Sequence, residues 1–118
     1  MQPDTAVIVS VYNEADRLPD TLAALAAAFP GARVVVADDG SKDASGHVAL
    51  QAGVELVRAP HTIGKGGAAT LAAEHLLADG GASIVVLCDG DLGASAGELP
   101  ALAAAVGAGD CDLAIAAF

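Results

Sequence analysis

The residues of this chain best placed to do chemistry are two carboxylates one residue apart, Asp89 and Asp91, with Gly90 between them. They follow the apolar run Ser83-Ile84-Val85-Val86-Leu87-Cys88, which has the length of a strand. A glycine lets the backbone turn sharply enough for both carboxylates to face one point. Paired carboxylates suit a hard divalent cation: Mg²⁺ and Mn²⁺ take oxygen ligands, and Mg²⁺ is usually held by one or two carboxylates together with substrate phosphates. Taken alone, Asp-Gly-Asp is more often an acidic turn than a metal site, so its surroundings decide.

Three other stretches carry similar chemistry. Tyr12-Asn13-Glu14 follows the β-branched run Ala6 to Val11, and Asp38-Asp39-Gly40-Ser41-Lys42-Asp43 follows Arg33-Val34-Val35-Val36-Ala37. The third runs from Pro60 to Gly67 and ends in Gly64-Lys65-Gly66-Gly67. That glycine loop is neither a dinucleotide fingerprint nor a Walker A loop. It reads as a flexible loop opening a helix, with an ammonium suited to a base or a diphosphate. Each stretch also has a plainer reading, with Asp38 and Asp39 capping a turn with Ser41 and Lys65 solvated in a glycine turn.

One order of elements would bring these loops together. Strands are expected at Ala6–Val11, Arg33–Ala37, Val54–Val57, Ile84–Cys88 and Asp112–Phe118. Leu18, Leu22, Leu25 and Phe29 recur at helical spacing and are stopped by Pro30-Gly31. Further helices are expected from Ser45 or Asp43 to about Ala52, from Gly64 to about Ala78, and from about Gly97 to Val106. Alternation of this kind implies an α/β fold, a mainly parallel Rossmann-like sheet with right-handed crossovers and helices on both faces. In such sheets ligands bind beyond the carboxyl ends of the strands, where strand order reverses. All four loops project from that edge.

At 118 residues the chain suits one domain that buries roughly two-thirds of its unfolded surface. Fifteen acidic residues against five basic ones give a formal charge of −10, which argues against nucleic acid or an anionic membrane surface as a partner and fits a cation-dependent site. Cys88 and Cys111 stand apart with no Cys or His nearby at ligand spacing, so they read as buried thiols. His47, His61 and His75 receive no role, and Arg17, Arg33 and Arg58 are expected to be solvated or paired at the surface. No apolar run approaches the ~20 residues of a spanning helix, so a reducing cytoplasmic setting is the default expectation.

Four ordered stretches, Val7 to Glu14, Val35 to Asp43, Gly64 to Ala68 and Asp89 to Leu92, resemble the motifs of family 2 glycosyltransferases. These are nucleotide-sugar enzymes with the fold called GT-A, and the resemblance is nearest to those that transfer sugars to polyprenyl phosphates. It implies a GT-A donor-binding half whose donor is a UDP- or GDP-linked sugar. The Tyr12-Asn13-Glu14 loop would bind the nucleotide, with Tyr12 and Glu14 beside the nucleoside and Glu14 accepting from ribose hydroxyls. Asp39 would accept from a base N–H, and Lys65 would lie near the base or diphosphate. Asp91 would coordinate Mn²⁺ or Mg²⁺ directly, with Asp89 on the metal, the ribose or the sugar. By the same resemblance transfer inverts the sugar, and the base that activates the acceptor lies well downstream.

Glu98, the one carboxylate just past the Asp89–Asp91 pair, reads instead as a helix-dipole residue. The sequence stops at Phe118, in or just after an apolar strand, and residues 1–118 are therefore expected to form the nucleotide-sugar-binding domain with the acceptor half absent. The acceptor would be a polyprenyl phosphate or another molecule, and a lipid acceptor would place the protein at the cytoplasmic face of a membrane. Two other readings stand beside this one. A sugar-nucleotide nucleotidyltransferase would carry a basic glycine-rich loop after the first strand, and this chain does not. A non-catalytic assembly module would form homo-oligomers through an exposed sheet edge.

Overall fold

The computed structural model describes residues 4–80 and 82–109. The strand expected over Asp112–Phe118 lies outside the described residues. Within them the order is β1 (Thr5–Val11), α1 (Leu18–Ala28), β2 (Arg33–Asp38), α2 (Ser45–Gln51), β3 (Glu55–Arg58), α3 (Lys65–Ala78), β4 (Ile84–Asp89), a 3₁₀ turn (Gly93–Glu98) and α4 (Pro100–Gly107).

The four strands form one parallel sheet in the order β3-β2-β1-β4. The chain therefore walks outward from β1 to β3 and then crosses back through α3 to the other side of β1. Strand order reverses between β1 and β4, where Val9 pairs with Cys88 and Ser10 with Asp89.

Side-chain alternation along the strands divides the core in two. Val7, Val9 and Val11 face α1, α2 and the turn before α4, packing with Leu18, Leu22, Leu25, Ala49 and Leu99. Ala6 and Ile8 face α3, packing with Ala68, Ala72 and Leu76. Leu18, Leu22 and Leu25 lie on one stripe of α1. The alanines of α3 let that helix sit close to β1 and β2. Among the described residues the second face is only partly covered. Val85 and Leu87 share it through their pairing with Ala6 and Ile8, and they are 47% and 67% exposed.

The helix expected over Gly97–Val106 divides in the structure. Pro100 has no N–H to donate and its ring would collide with the carbonyl four residues back. The chain instead makes the 3₁₀ turn, closed by the Leu99 N–H on the Ala96 carbonyl at 3.2 Å, and α4 begins at Pro100, a position where proline is favoured.

At the opposite edge of the sheet from the four loops, Arg33 fastens the start of β2 to that of β3 and to the end of α3. Its Nε and Nη2 donate to the two oxygens of Glu55 at 2.9 and 2.6 Å, and Nη2 also reaches Asp79 at 3.1 Å. His75 Nε2 lies 2.8 Å from Glu55 Oε1. Hydrogen bonding from Arg33, opposed by partial burial and helped by His75, lowers the Glu55 carboxyl from 4.5 to about 2.

Candidate functional site

The carboxyl ends of the strands open into a cavity of about 230 Å³. It is lined by Ser10, Val11, Tyr12, Glu14, Ala37, Asp39, Lys65, Ala68, Asp89, Gly90 and Asp91. A larger cavity of about 650 Å³ at the other end of the sheet has Asp4 as its one titratable lining residue among the described residues, and the chemistry-bearing groups of the described loops gather around the smaller one. Of the sequence-derived site residues, Tyr12, Glu14, Asp39, Lys65, Asp89 and Asp91 line this cavity and Asn13 does not.

Polar side chains tie the first two loops together, using backbone groups that the sheet leaves unpaired beyond its strand ends. The Asn13 N–H donates to Ser41 Oγ at 2.8 Å, and the Lys42 N–H donates to Asn13 Oδ1 at 2.8 Å. Asn13 adopts a left-handed φ of 52°, which Asn tolerates better than most residues. The Glu14 N–H donates to Ser45 Oγ at 3.0 Å and the Ala15 N–H to Asp43 Oδ2 at 3.1 Å. Asp43 and Ser45 therefore do more than open α2: they hold the loop that carries Glu14. Burial works against the charge on Asp43, but hydrogen bonds from Ser45 and Ala15 outweigh it and keep the carboxyl below its ordinary value.

The two adjacent aspartates have different tasks. Asp38 is fully buried; its Oδ1 accepts from the Ser41 N–H at 2.9 Å and its Oδ2 lies 3.7 Å from Arg58 Nε. Asp38 thus closes the turn with Ser41. Asp39, also paired with Ser41 in the turn reading, does not take part in it. Its Oδ1 accepts from the Ile63 N–H at 2.8 Å and its Oδ2 from the Gly64 N–H at 3.1 Å, which fixes the approach to Lys65. Gly40 allows this closeness: it has φ +74°, and a Cβ there would lie 3.0 Å from the backbone of His61 and Thr62.

Asp89 and Asp91 line the cavity at the end of β4, across from the end of β1 and the start of α3. The Gly90 N–H donates to the Ser10 carbonyl at 2.9 Å, and a Cβ on Gly90 would meet Val11 Cγ2 at 2.9 Å. Each carboxylate faces a cation. Lys65 Nζ pairs with Asp89, and Arg17 Nη1 lies 3.9 Å from Asp91 Oδ2. Arg17, expected to be solvated or paired at the surface, thus reaches the site from the start of α1. Both carboxylates remain about half exposed, so water can complete the shell of a bound ion. The donor set is oxygen throughout and fits a hard cation. Burial first, then the negative charges of Asp89 and Asp91, pushes the Cys88 thiol up to about 12, so this sulfur stays neutral.

Two residues with a part in the site gave no signal in the sequence. Arg17 is one, and Thr21 is the other: its hydroxyl donates to the Gly90 carbonyl at 2.7 Å and accepts from the Gly93 N–H at 2.8 Å. Thr21 sits on α1 and Arg17 at its N-cap, 69 and more residues before the loop they touch, so no local spacing reveals them. Glu98 is exposed and does not line the cavity. Glu55, His75 and Asp79 form a second cluster with ligand atoms within 4.8 Å of one another, a grouping that the spacing of the histidines did not suggest. There the Arg33 guanidinium already lies between the two carboxylates and supplies the positive charge.

Comparison with known proteins identifies the fold and the family. Among solved structures, a mannosyltransferase from Pyrobaculum calidifontis in complex with GDP-Man and Mn²⁺ is 27% identical with a TM-score of 0.69, over 77% of this chain and 28% of that one. The glucosyl-3-phosphoglycerate synthase of Mycobacterium tuberculosis in complex with Mn²⁺ and UDP-glucose is 24% identical with a TM-score of 0.75, over 92% and 40%. The same enzyme with UDP is 25% identical with a TM-score of 0.64, over 78% and 35%. The chain thus spans less than half the length of these neighbours, and the architecture they share is the GT-A fold. No curated protein sequence matches. The profile described as glycosyl transferase family 2 matches residues 6–118, nearly the whole chain, and the chain belongs to that family.

Proposed function

We propose that residues 1–118 are the donor-binding part of a metal-dependent glycosyltransferase, holding a nucleoside-diphosphate sugar at the carboxyl edge of the sheet. The observation that carries this reading is the meeting of Asp89 and Asp91 with Glu14, Asp39 and Lys65 around one cavity. Four carboxylates and one lysine would repel a diphosphate by themselves, and Asp89 and Asp91 would hold a divalent cation that offsets this repulsion. When bound, Mn²⁺ or Mg²⁺ would offset the negative charge that builds on the nucleoside diphosphate as the sugar departs.

The chain's own residues do the rest by binding and orientation. Tyr12 offers a half-exposed ring beside the nucleoside, and Glu14 accepts from ribose hydroxyls. Each oxygen of Asp39 already takes one backbone N–H, yet a carboxylate oxygen accepts more than one hydrogen bond, so Asp39 can also read a base N–H. Lys65 opens α3, whose N-terminus has no side-chain cap, and ammonium and helix dipole both favour phosphate there. The neighbour at 27% identity, in complex with GDP-Man and Mn²⁺, and the one at 25% identity, in complex with UDP, bind ligands of this class.

Transfer with inversion would need an acceptor-activating base from outside this cavity, in a separate acceptor half. A polyprenyl phosphate is the acceptor the family resemblance favours, and the working location is the cytoplasm or its membrane face. No helix among the described residues is long and apolar enough to cross a membrane.

Titration calorimetry with UDP, GDP, UDP-glucose and GDP-mannose, with and without Mn²⁺, tests this. Nucleotide binding that strengthens with Mn²⁺ and loses that gain in Asp91→Asn is expected. No Mn²⁺-dependent binding at millimolar ligand would sink the proposal.

A further inference from the structure

We propose that Thr21 is the positioning residue of the Asp89–Gly93 loop, holding it in the form that presents both carboxylates to the cavity; its bearing on metal binding rests on the donor-binding reading above. Thr21 is fully buried in the second turn of α1, on the helix face that also carries Leu18, Leu22 and Leu25 into the core. A valine would fill that space equally well, so the hydroxyl needs a reason. A buried threonine in a helix ordinarily donates back to the carbonyl four residues earlier. Here the Arg17 carbonyl lies at 3.3 Å and the Gly90 carbonyl at 2.7 Å, so the single hydroxyl proton goes to the loop. A lone pair of the same oxygen takes the Gly93 N–H at 2.8 Å.

One atom therefore joins both ends of the segment Gly90-Asp91-Leu92-Gly93. The Gly90 N–H on the Ser10 carbonyl fixes the loop from the β1 side, and the missing Cβ of Gly90 lets it lie against Val11. Asp91 is thus suspended between two anchored glycines, one of them held from both β1 and α1. Four residues before Thr21, at the N-cap of α1, Arg17 sends its guanidinium toward the Asp91 carboxylate, so the start of α1 meets both the loop's backbone and its charge. Without the hydroxyl, the Gly90 carbonyl and the Gly93 N–H would lose these partners and the loop would relax toward solvent.

Thr21→Val and Thr21→Ser in the full chain test the inference, with Mn²⁺ affinity measured by electron paramagnetic resonance in the presence of UDP and amide exchange at Gly93 measured by NMR. Thr21→Val is expected to weaken Mn²⁺ binding about ten-fold and Thr21→Ser to stay within about two-fold of wild type, the range seen when a group supporting a metal ligand is removed. Gly93 exchange should speed up in Thr21→Val and recover in Thr21→Ser. Leu76→Ala, a core deletion on the other face of the sheet, controls for general loosening. Unchanged Mn²⁺ affinity and Gly93 protection in Thr21→Val would overturn the proposal, as would an equal loss in Leu76→Ala.

If the wild type binds no Mn²⁺, the donor-binding reading fails, and Gly93 exchange alone decides whether Thr21 holds the loop. If Thr21→Val does not fold, the wild type decides: slow exchange at Gly93 supports the tie, and exchange as fast as at exposed Gly97 overturns it.

Discussion

The ammonium of Lys65, at the start of α3, is paired with the carboxylate of Asp89, at the end of β4. The two residues are 24 positions apart in the chain and meet because α3 crosses over the sheet from β3 to β4. Lys65 is largely open to solvent and Asp89 about half exposed, so the pair adds little to stability and is free to exchange for a ligand. Lys65→Gln is therefore expected to change folding stability by less than about 1 kcal/mol. The same variant should weaken nucleoside diphosphate binding by roughly 1.5–3 kcal/mol, the usual worth of a hydrogen bond to a charged group. Calorimetric titration beside denaturant unfolding reads both quantities.

Asp39 holds two backbone amides with two oxygens. In Asp39→Asn one of those oxygens becomes an NH₂ that cannot accept, leaving Ile63 or Gly64 without its partner. A loss of roughly 1–3 kcal/mol in stability is expected, with faster amide exchange at the affected residue. If Asp39→Asn instead matched the wild type in stability and in exchange at Ile63 and Gly64, the Asp39 carboxylate would not be what holds the loop.

Gly90→Ala places a methyl 2.9 Å from Val11 Cγ2 and 3.2 Å from the Ser10 carbonyl oxygen. The backbone at Ser10 belongs to the central strand and cannot yield far, so the loop must move. Overpacking of this kind costs about 1–3 kcal/mol. The displacement should also weaken Mn²⁺ binding, and unfolding curves with paramagnetic titration of the metal measure the two effects side by side.

Glu55 supplies a pH dependence. Its folded carboxyl, at about 2, lies below its ordinary 4.5, because Arg33 binds the charged form. Stability from this group is present above about pH 4.5 and is lost as pH falls through about 2. The folded state prefers the ionised carboxylate, so protonation favours unfolding. Glu55→Gln should cost about 1 kcal/mol at pH 7 after allowance for solvent screening, and the deficit should shrink toward zero by pH 2. Urea midpoints of wild type and variant across that range give the comparison.

The sequence by itself determined the elements and the edge on which chemistry gathers. Runs such as Ala6–Val11 and Arg33–Ala37 can bury both faces only in a covered parallel sheet, and connections of this length between parallel strands must cross over. The loops after such strands share one edge, so Glu14, Asp39, Lys65, Asp89 and Asp91 are legible as neighbours from the sequence. Local patterning reached less far at Pro100, where alanine and leucine periodicity masked a helix boundary.

Only the tertiary structure decided which partner each of these residues has. Asp38 and Asp39 are adjacent and alike in type, yet one closes its own turn and the other reaches across to Ile63 and Gly64, because successive residues leaving a strand point in opposite directions. Arg17 and Thr21 read as an ordinary helix start and an ordinary helix residue. They meet Asp91 and Gly90 only when α1 packs beside the 3₁₀ turn that follows β4, a contact set by strand order and not by spacing along the chain. Hydrogen bonds and ion pairs depend on distances of a few ångströms between segments far apart in sequence, and periodicity carries no information at that range.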